Sequence, residues 1–261
     1  MKNHSASRSP DSSGTNTPGK LRIDVLMVER GLAPSRERAQ ALLMAGQVQV
    51  NGQKIDKPGA RVAADSRIEL IGEPQRYASR GGYKLEGALE DFGLVPEGRI
   101  CLDIGSSTGG FTDCLLQRGA AKVYAVDVSI DQLDWKLRND PRVFMVRKNA
   151  RYLRPEDIPD RASLIVTDVS FISVTKVLPA MVPLGARGCD FLILVKPQFE
   201  LQRSDIGKGG IVRDASLHRK AVELVARMIE ELSLENRGVR PSRLAGAEGN
   251  QEFFLHARQR E

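Results

Sequence analysis

LDIGSSTGGF, residues 102–111, decides the fold. An apolar run leads to an acid, Asp103, and then to a loop of small residues holding Gly105, Gly109 and Gly110. Outward from it the sequence alternates. RICLDI (99–104), AKVYAVD (121–127), VFMV (143–146), SLIVTD (163–168), DFLILV (190–195) and EFFLHA (252–257) are short apolar runs that read as strands. Helical patterns fall between them, near 110–118, 130–138, 173–184 and 216–233. The alternation predicts an α/β domain with an open, mostly parallel, doubly wound sheet. Such a sheet binds its ligand at the carboxyl ends of its strands, where strand order reverses.

The loop sits at the first strand-to-helix turn of that sheet. Glycines there let a ligand approach the backbone and let the helix start pack close. The next strand ends at Asp127, an acid placed to accept hydrogen bonds from two ribose hydroxyls. A phosphate-binding loop needs Gly-Lys-Ser/Thr, and residues 109–111 are Gly-Gly-Phe. Dinucleotides favour GxGxxG, and Asp103 would repel a pyrophosphate while suiting a cation. S-adenosylmethionine carries a ribose, an ammonium and a sulfonium and no phosphate, so it fits best; a dinucleotide and a purely structural turn are the alternatives. The expected donor contacts are Gly105, Ser106, Ser107, Thr108, Gly109, Gly110, Phe111, Asp127 and Asp168. Asn149 in RKNAR is a candidate adenine contact or a turn-forming residue, and Phe111 a methionine-side contact or helix core.

Residues 1–20 are Ser, Pro, Gly and Asn with little to bury and are expected to be a disordered leader. Residues 21–72 read as a small α+β unit. RIDVLMVERGL is a short helix stopped by Gly31. Ser35 suits a helix N-cap with Glu37 in the first turn, Ala39, Leu42 and Leu43 form one apolar face, and Gly46 suits the end. QVQVNGQKI is a hairpin with Asn51-Gly52 at the turn, and RIELI (67–71) is a further strand. Residues 73–83 read as a linker ahead of a helix in LEGALEDFGL and a main domain over 84–261. The net charge of +6 favours a polyanionic partner. Arg36, Arg38, Lys54, Lys57 and Arg80 are candidate RNA contacts, with a solvated charged face as the plain alternative. DIGKGGIVRD (205–214) is a lid, an RNA-contacting loop or a long connection.

DIGSSTGGF, RGGYK, TDVSFIS and LVKPQFE together resemble the 2′-O-ribose RNA methyltransferases related to the FtsJ heat-shock methyltransferase. RIDVLMVERGLAPSRERAQALLMAGQVQVNG…KPG is similar to an S4 RNA-binding domain. In this order the two resemble the hemolysin A (TlyA-type) family of rRNA cytidine 2′-O-methyltransferases, over residues 21–257. The resemblance implies a Rossmann-like S-adenosylmethionine-dependent methyltransferase fold behind a small S4-like domain. It implies rRNA or ribosomal subunits, 16S and/or 23S, as substrate, and a cytoplasmic protein. It implies a Lys-Asp-Lys-Glu catalytic set, carried here by Lys84, Asp168, Lys196 and Glu252. Where that family often has a linker Trp, this chain has Tyr77. A ribose 2′-hydroxyl must lose its proton as it attacks the methyl, and a lysine serves as base only when neutral. Lys196 is assigned as base, Asp168 as its orienting partner, Lys84 as a charge-tuning cation and Glu252 as support for the lysines.

Two rivals come from other classes. One is an RNA-binding protein whose methyltransferase fold is inactive; the four matched residues argue against it. The other is a membrane-active hemolysin. No run approaches the roughly 18 apolar residues a membrane helix needs, and no secretory apolar segment opens the chain. Cys101, Cys114 and Cys189 show no CxxC spacing and His4, His218 and His256 no ligand spacing, so free thiols and no metal are expected.

Overall fold

The computed structural model describes residues 19–33, 35–71, 76–246 and 249–260. The chain divides into two compact units, Met1–Pro74 and Gln75–Glu261. The expected leader lies outside the described residues except for Gly19 and Lys20, and Lys20 already opens a strand.

In the smaller unit β1 (Lys20–Arg22) leads into α1 (Ile23–Glu29), which ends ahead of Gly31 at φ 70°. Next comes α2 (Arg36–Met44), whose N-cap Ser35 accepts from the Arg38 amide. Strands β2 (Val48–Val50) and β3 (Gln53–Lys54) form the hairpin, with Asn51 at φ 50° and Gly52 at φ 80°. Positive φ at both positions matches the twist of the strands. Strand β5 (Ile68–Leu70) pairs with β2, while β4 (Arg61–Ala63) pairs with β1. The β1–β4 ladder escaped sequence reading, because both strands are three residues long, β1 is exposed throughout and β4 is at most partly buried, too short a run to show an alternation. The core is Ile23, Leu26, Met27, Ala39, Leu43, Val48, Val50 and Ile68.

The larger unit opens with α3 (Gly81–Phe92), followed by β6 (Ile100–Ile104), α4 (Gly110–Gln117), β7 (Lys122–Asp127), α5 (Trp135–Arg138) and β8 (Val143–Arg147). The second half holds β9 (Ala162–Thr167), α6 (Leu178–Met181), β10 (Gly185–Val195), α7 (Pro197–Glu200), α8 (Ala215–Glu231), β11 (Glu235–Pro241) and β12 (Phe253–Arg258). The sheet order is β11-β12-β10-β9-β6-β7-β8. Strands β6 to β10 run parallel; β12 is antiparallel to β10, and β11 to β12. One apolar cluster centres on Leu102, Ile165, Phe191, Ile193 and Leu255, another on Leu85, Leu115, Val123, Leu192 and Phe254. Neighbouring residues of one strand, Phe191 and Leu192, fall in different clusters, as expected for a sheet buried on both faces.

Three expectations change. The linker over 73–83 is not one throughout: residues 72–75 lie outside the described residues, but Tyr77 is fully buried among Leu85, Leu89 and Cys114, and α3 begins at Gly81. A Cβ at Gly82 would run into the Tyr77 ring, and one at Gly110 would run into Ser79 and stand 2.9 Å from the Gly82 amide. Glycine therefore lets 77–82 lie directly on the start of α4. The helices expected near 130–138 and 173–184 are broken. Asp134 caps α5 afresh, and Pro179 and Pro183 split the second into single turns. Strand β11 was not expected: ENRGVRP is an edge strand with a bulge between Asn236 and Gly238 (φ 123°) and no alternation to read.

Candidate active site

The chain runs β6, β7, β8 toward one edge and then returns to β9, so strand order reverses between β6 and β9. The turns after those two strands touch. Gly105 has φ 84°, and a Cβ on it would stand 2.6 Å from the Asp168 carbonyl oxygen. The Asp168 amide donates to the Ile104 carbonyl at 2.9 Å. Asp127 ends β7 beside the same loop: Oδ2 accepts from the Ser107 amide at 3.0 Å and Oδ1 from the Ser129 amide at 2.8 Å. Ser107 adopts φ 48° and exposes its side chain, as does Thr108. Gly109 caps α4 at φ 95°, where a Cβ would run into Leu137. Phe111 is buried, its ring 6.2 Å from that of Phe254, so the structure gives it the core role. Asn149 is exposed and its Oδ1 caps a turn by accepting from the Arg151 amide at 3.0 Å, the turn-forming alternative.

Four buried side-chain oxygens here accept no hydrogen bond: Asp103 Oδ1, Ser106 Oγ, Thr167 Oγ1 and Asp168 Oδ1, the last of which meets Lys196 as an ion pair. An unmatched buried polar group costs about 1–3 kcal/mol, and all four lie at the carboxyl ends of β6 and β9 or in the turns that follow them. Asp103 is fully buried; burial lifts its pKa to about 7, with Asp168 and Asp127 adding to the rise and the Thr112 hydroxyl, 2.6 Å away, opposing it. A cationic ligand with hydroxyls suits this set: Asp103 gains a positive partner, and Asp127 offers two carboxylate oxygens to a ribose. The residues present thus fit S-adenosylmethionine.

The four matched residues form two ion pairs. Lys196 Nζ lies 2.5 Å from Asp168 Oδ1, and Lys84 Nζ lies 2.5 Å from Glu252 Oε2. Lys84, on α3, and Lys196, after β10, are each 8% exposed and Glu252 is 2% exposed. These lysines are thus desolvated and held by carboxylates. The pairs are brought together by the antiparallel register, in which Val195 faces Phe253, so that the next residues, Lys196 and Glu252, are neighbours.

Several residues here were missed in the sequence. Ser170 Oγ accepts from Lys196 Nζ at 2.8 Å. Phe171 is 92% exposed at φ 65°, with its ring 5.5 Å from Phe199, and Lys196 lies over the Phe199 ring. Glu200 accepts from the Ser173 hydroxyl and from the Val174 amide, tying TDVSFIS to LVKPQFE. A bulky aromatic at positive φ is unusual, but φ cannot be read from a sequence.

The candidate RNA residues divide. Arg36 donates to the buried Asp24 at 3.2 Å and so has a structural partner. Lys54 and Lys57 are exposed, and the Arg38 amide completes the Ser35 cap. Arg80, in the larger unit, donates to the Ala245 carbonyl at 3.2 Å. In DIGKGGIVRD, the buried Asn250 accepts from the Val212 amide at 2.8 Å and donates to the Gly210 carbonyl at 2.9 Å. Among the described residues no group of three or more His, Cys, Asp or Glu could hold a metal, and no helix is long and apolar enough to cross a membrane.

A mostly parallel sheet with a glycine turn after its first strand and an acid ending its second defines the class: an α/β methyltransferase of the S-adenosylmethionine-dependent kind. A family model described as FtsJ-like methyltransferase matches residues 77–259, and one described as S4 domain matches residues 21–68. The 16S/23S rRNA (cytidine-2′-O)-methyltransferase TlyA of Mycobacterium tuberculosis is 47% identical over 241 residues, 92% of this chain and 90% of that protein. Hemolysin A of Brachyspira hyodysenteriae is 43% identical, covering 90% of this chain and 99% of its own. A solved structure described as a hemolysin from Streptococcus thermophilus superposes with a TM-score of 0.73 at 44% identity, covering 94% of this chain and 90% of that one. The chain belongs to the hemolysin A (TlyA-type) family of S4 and FtsJ-like methyltransferase proteins.

Proposed function

We propose that this protein transfers a methyl group from S-adenosylmethionine to a ribose 2′-hydroxyl of ribosomal RNA, at cytidine in 16S and/or 23S rRNA. The observation that carries the reading is the pair of desolvated ion pairs, Lys196–Asp168 and Lys84–Glu252, beside a glycine turn that suits the donor. The name of the M. tuberculosis relative supports the choice of RNA and base. The S4 unit supplies RNA affinity, and the site of action is the cytoplasm, where ribosomal subunits are found.

Bound S-adenosylmethionine supplies a methyl on a sulfonium, whose sulfur keeps the bonding electron pair as the methyl leaves. Asp127 holds the donor ribose and Asp103 its ammonium. Lys196 Nζ takes the proton of the 2′-hydroxyl as that oxygen forms its bond to carbon. Asp168 fixes Lys196 by its 2.5 Å contact. Lys84 contributes a second positive charge, and Glu252 holds it away from solvent. The exposed Phe171 ring offers a stacking face to the target base, as single-stranded RNA recognition commonly requires.

Lys196→Ala should slow single-turnover transfer to ribosomal subunits by about 10²–10⁴-fold, the usual range for a general base. Lys196→Arg should fail equally, since a guanidinium stays protonated. An active Lys196→Arg enzyme with the wild-type pH profile would leave Lys196 as a clamp only.

A further inference from the structure

Two acceptors hold the Lys196 amine. Asp168 Oδ1 stands 2.5 Å from Nζ and Ser170 Oγ 2.8 Å from it. An amine nitrogen has three positions besides its bond to carbon, filled in the ammonium by three hydrogens. Ser170 takes the hydrogen bond from Nζ while Asp168 Oδ1 holds the amine by charge, so a neutral amine that keeps both neighbours turns its lone pair to the remaining position. Rotation about Cε–Nζ is then blocked. With Asp168 alone, the amine would keep its ion pair but no hydrogen bond, and could turn to present a hydrogen where the lone pair must be.

The loop is built to hold that hydroxyl. It is anchored at its start by the Asp168 amide on the Ile104 carbonyl and at its end by Glu200, which accepts from Ser173 Oγ at 2.5 Å and from the Val174 amide at 2.9 Å. Glu200 lies on α7, the helix that begins straight after Lys196. Between these anchors Phe171 is held at φ 65°, a conformation that costs a non-glycine residue about 1–3 kcal/mol.

We propose that Ser170 is a positioning residue that aims the Lys196 lone pair at the ribose 2′-hydroxyl. The proposal rests on Lys196 acting as the base. The charged group in contact with the amine is Asp168, on the loop after β9; the Lys84–Glu252 pair lies one register step past Val195–Phe253, at the end of β10 that Lys196 follows.

The test is single-turnover methyl transfer from S-adenosylmethionine to unmethylated ribosomal subunits, measured across pH for wild type, Ser170→Ala and Ser170→Thr. Ser170→Ala should lower the plateau rate by about ten- to hundredfold, the scale on which misplaced reacting groups cost rate. Ser170→Thr keeps the hydroxyl and should restore the rate to within about threefold. The pH of half-plateau should move down in Ser170→Ala, because an acceptor that favours the charged form has gone. Calorimetric affinity for S-adenosylmethionine should stay at the wild-type value in both. A Ser170→Ala enzyme with the wild-type plateau and midpoint would overturn the proposal. So would a slow Ser170→Ala enzyme whose midpoint is unmoved and whose donor affinity has fallen, since that reports a collapsed loop. Lys196→Arg separates the two ideas: if it is inactive while the Ser170 variants behave as wild type, the base stands and the positioning role falls. If Lys196→Arg is active, the base itself falls.

Discussion

At the scale of single residues, Asp103 should couple stability to donor binding. Its pKa rises from the ordinary 3.8 to about 7, chiefly through burial. An acid whose pKa is higher folded than unfolded binds its proton more tightly in the native state. Its contribution is therefore fully present below about pH 4 and is lost as the pH rises to about 7. Asp103→Asn should remove this slope, so that wild type loses stability relative to the variant between pH 4 and pH 7 in urea unfolding. Donor affinity should run the other way. The ionised carboxylate is the partner for a cation, so wild-type affinity for S-adenosylmethionine should climb as pH passes through 7, while Asp103→Asn binds weakly and without that climb. Parallel slopes for the two proteins in calorimetry would remove Asp103 from the donor site.

Among the elements, α1 shows how a buried acid organises a small unit. Asp24 is fully buried at the start of α1 and accepts from Arg22 at 3.0 and 2.9 Å, from Arg36 at 3.2 Å and from Gln40 at 2.9 Å. Residues from β1 and α2 are thereby fixed to α1, in a unit with few apolar side chains to bury. The Arg22 guanidinium, helped by Gln40 and Arg36, holds the Asp24 carboxyl well below the usual carboxylate range against the opposing effect of burial. That stability is present above about pH 4 and is lost as the carboxyl protonates below it. Asp24→Asn should cost about 2 kcal/mol at neutral pH, the worth of a hydrogen bond to a charged group. The arginines are half exposed and regain water, which keeps the figure from being larger. Faster hydrogen exchange across α1 and α2 at pH 7 would report it; wild-type exchange rates would refute the role. A charge reversal at Arg36 would disturb this cluster as well as any RNA contact, so Lys54 and Lys57 are the cleaner probes of RNA affinity.

For the whole molecule, the two units have separate cores. Among the described residues, none before Tyr77 belongs to either large apolar cluster of the larger unit. A chain starting at Gln75 should fold, bind S-adenosylmethionine with the full-length affinity, and lose methylation of ribosomal subunits. RNA affinity supplied by exposed lysines and arginines should weaken steeply with salt, since each phosphate contact releases counterions. Full activity of the shortened chain on ribosomal subunits would assign substrate capture to the larger unit alone.

Hydrogen bonds between near neighbours were legible. Ser35 caps α2, Asn51-Gly52 turns the hairpin, and Gly105 and Gly109 take positive φ, because each feature depends on residues within a few positions of it. Strands β6, β7, β9 and β10 were legible too, since burial on both faces leaves an apolar run; β8 is apolar as well, though as an edge strand it exposes Phe144 and Met145. The sequence by itself thus determined the glycine turn, the second-strand acid and the α/β class. Asp168 was already assigned to Lys196, but only the tertiary structure decided that Glu252 meets Lys84. Lys84 and Glu252 are 168 positions apart, and they meet because α3 lies against the sheet and β12 runs antiparallel to β10. It also put Phe111 in the core, gave Arg36 a buried partner and set Ser170 against Lys196. Each of these depends on a backbone direction or a distant register, and those quantities arise only when strands pair and the chain folds back on itself.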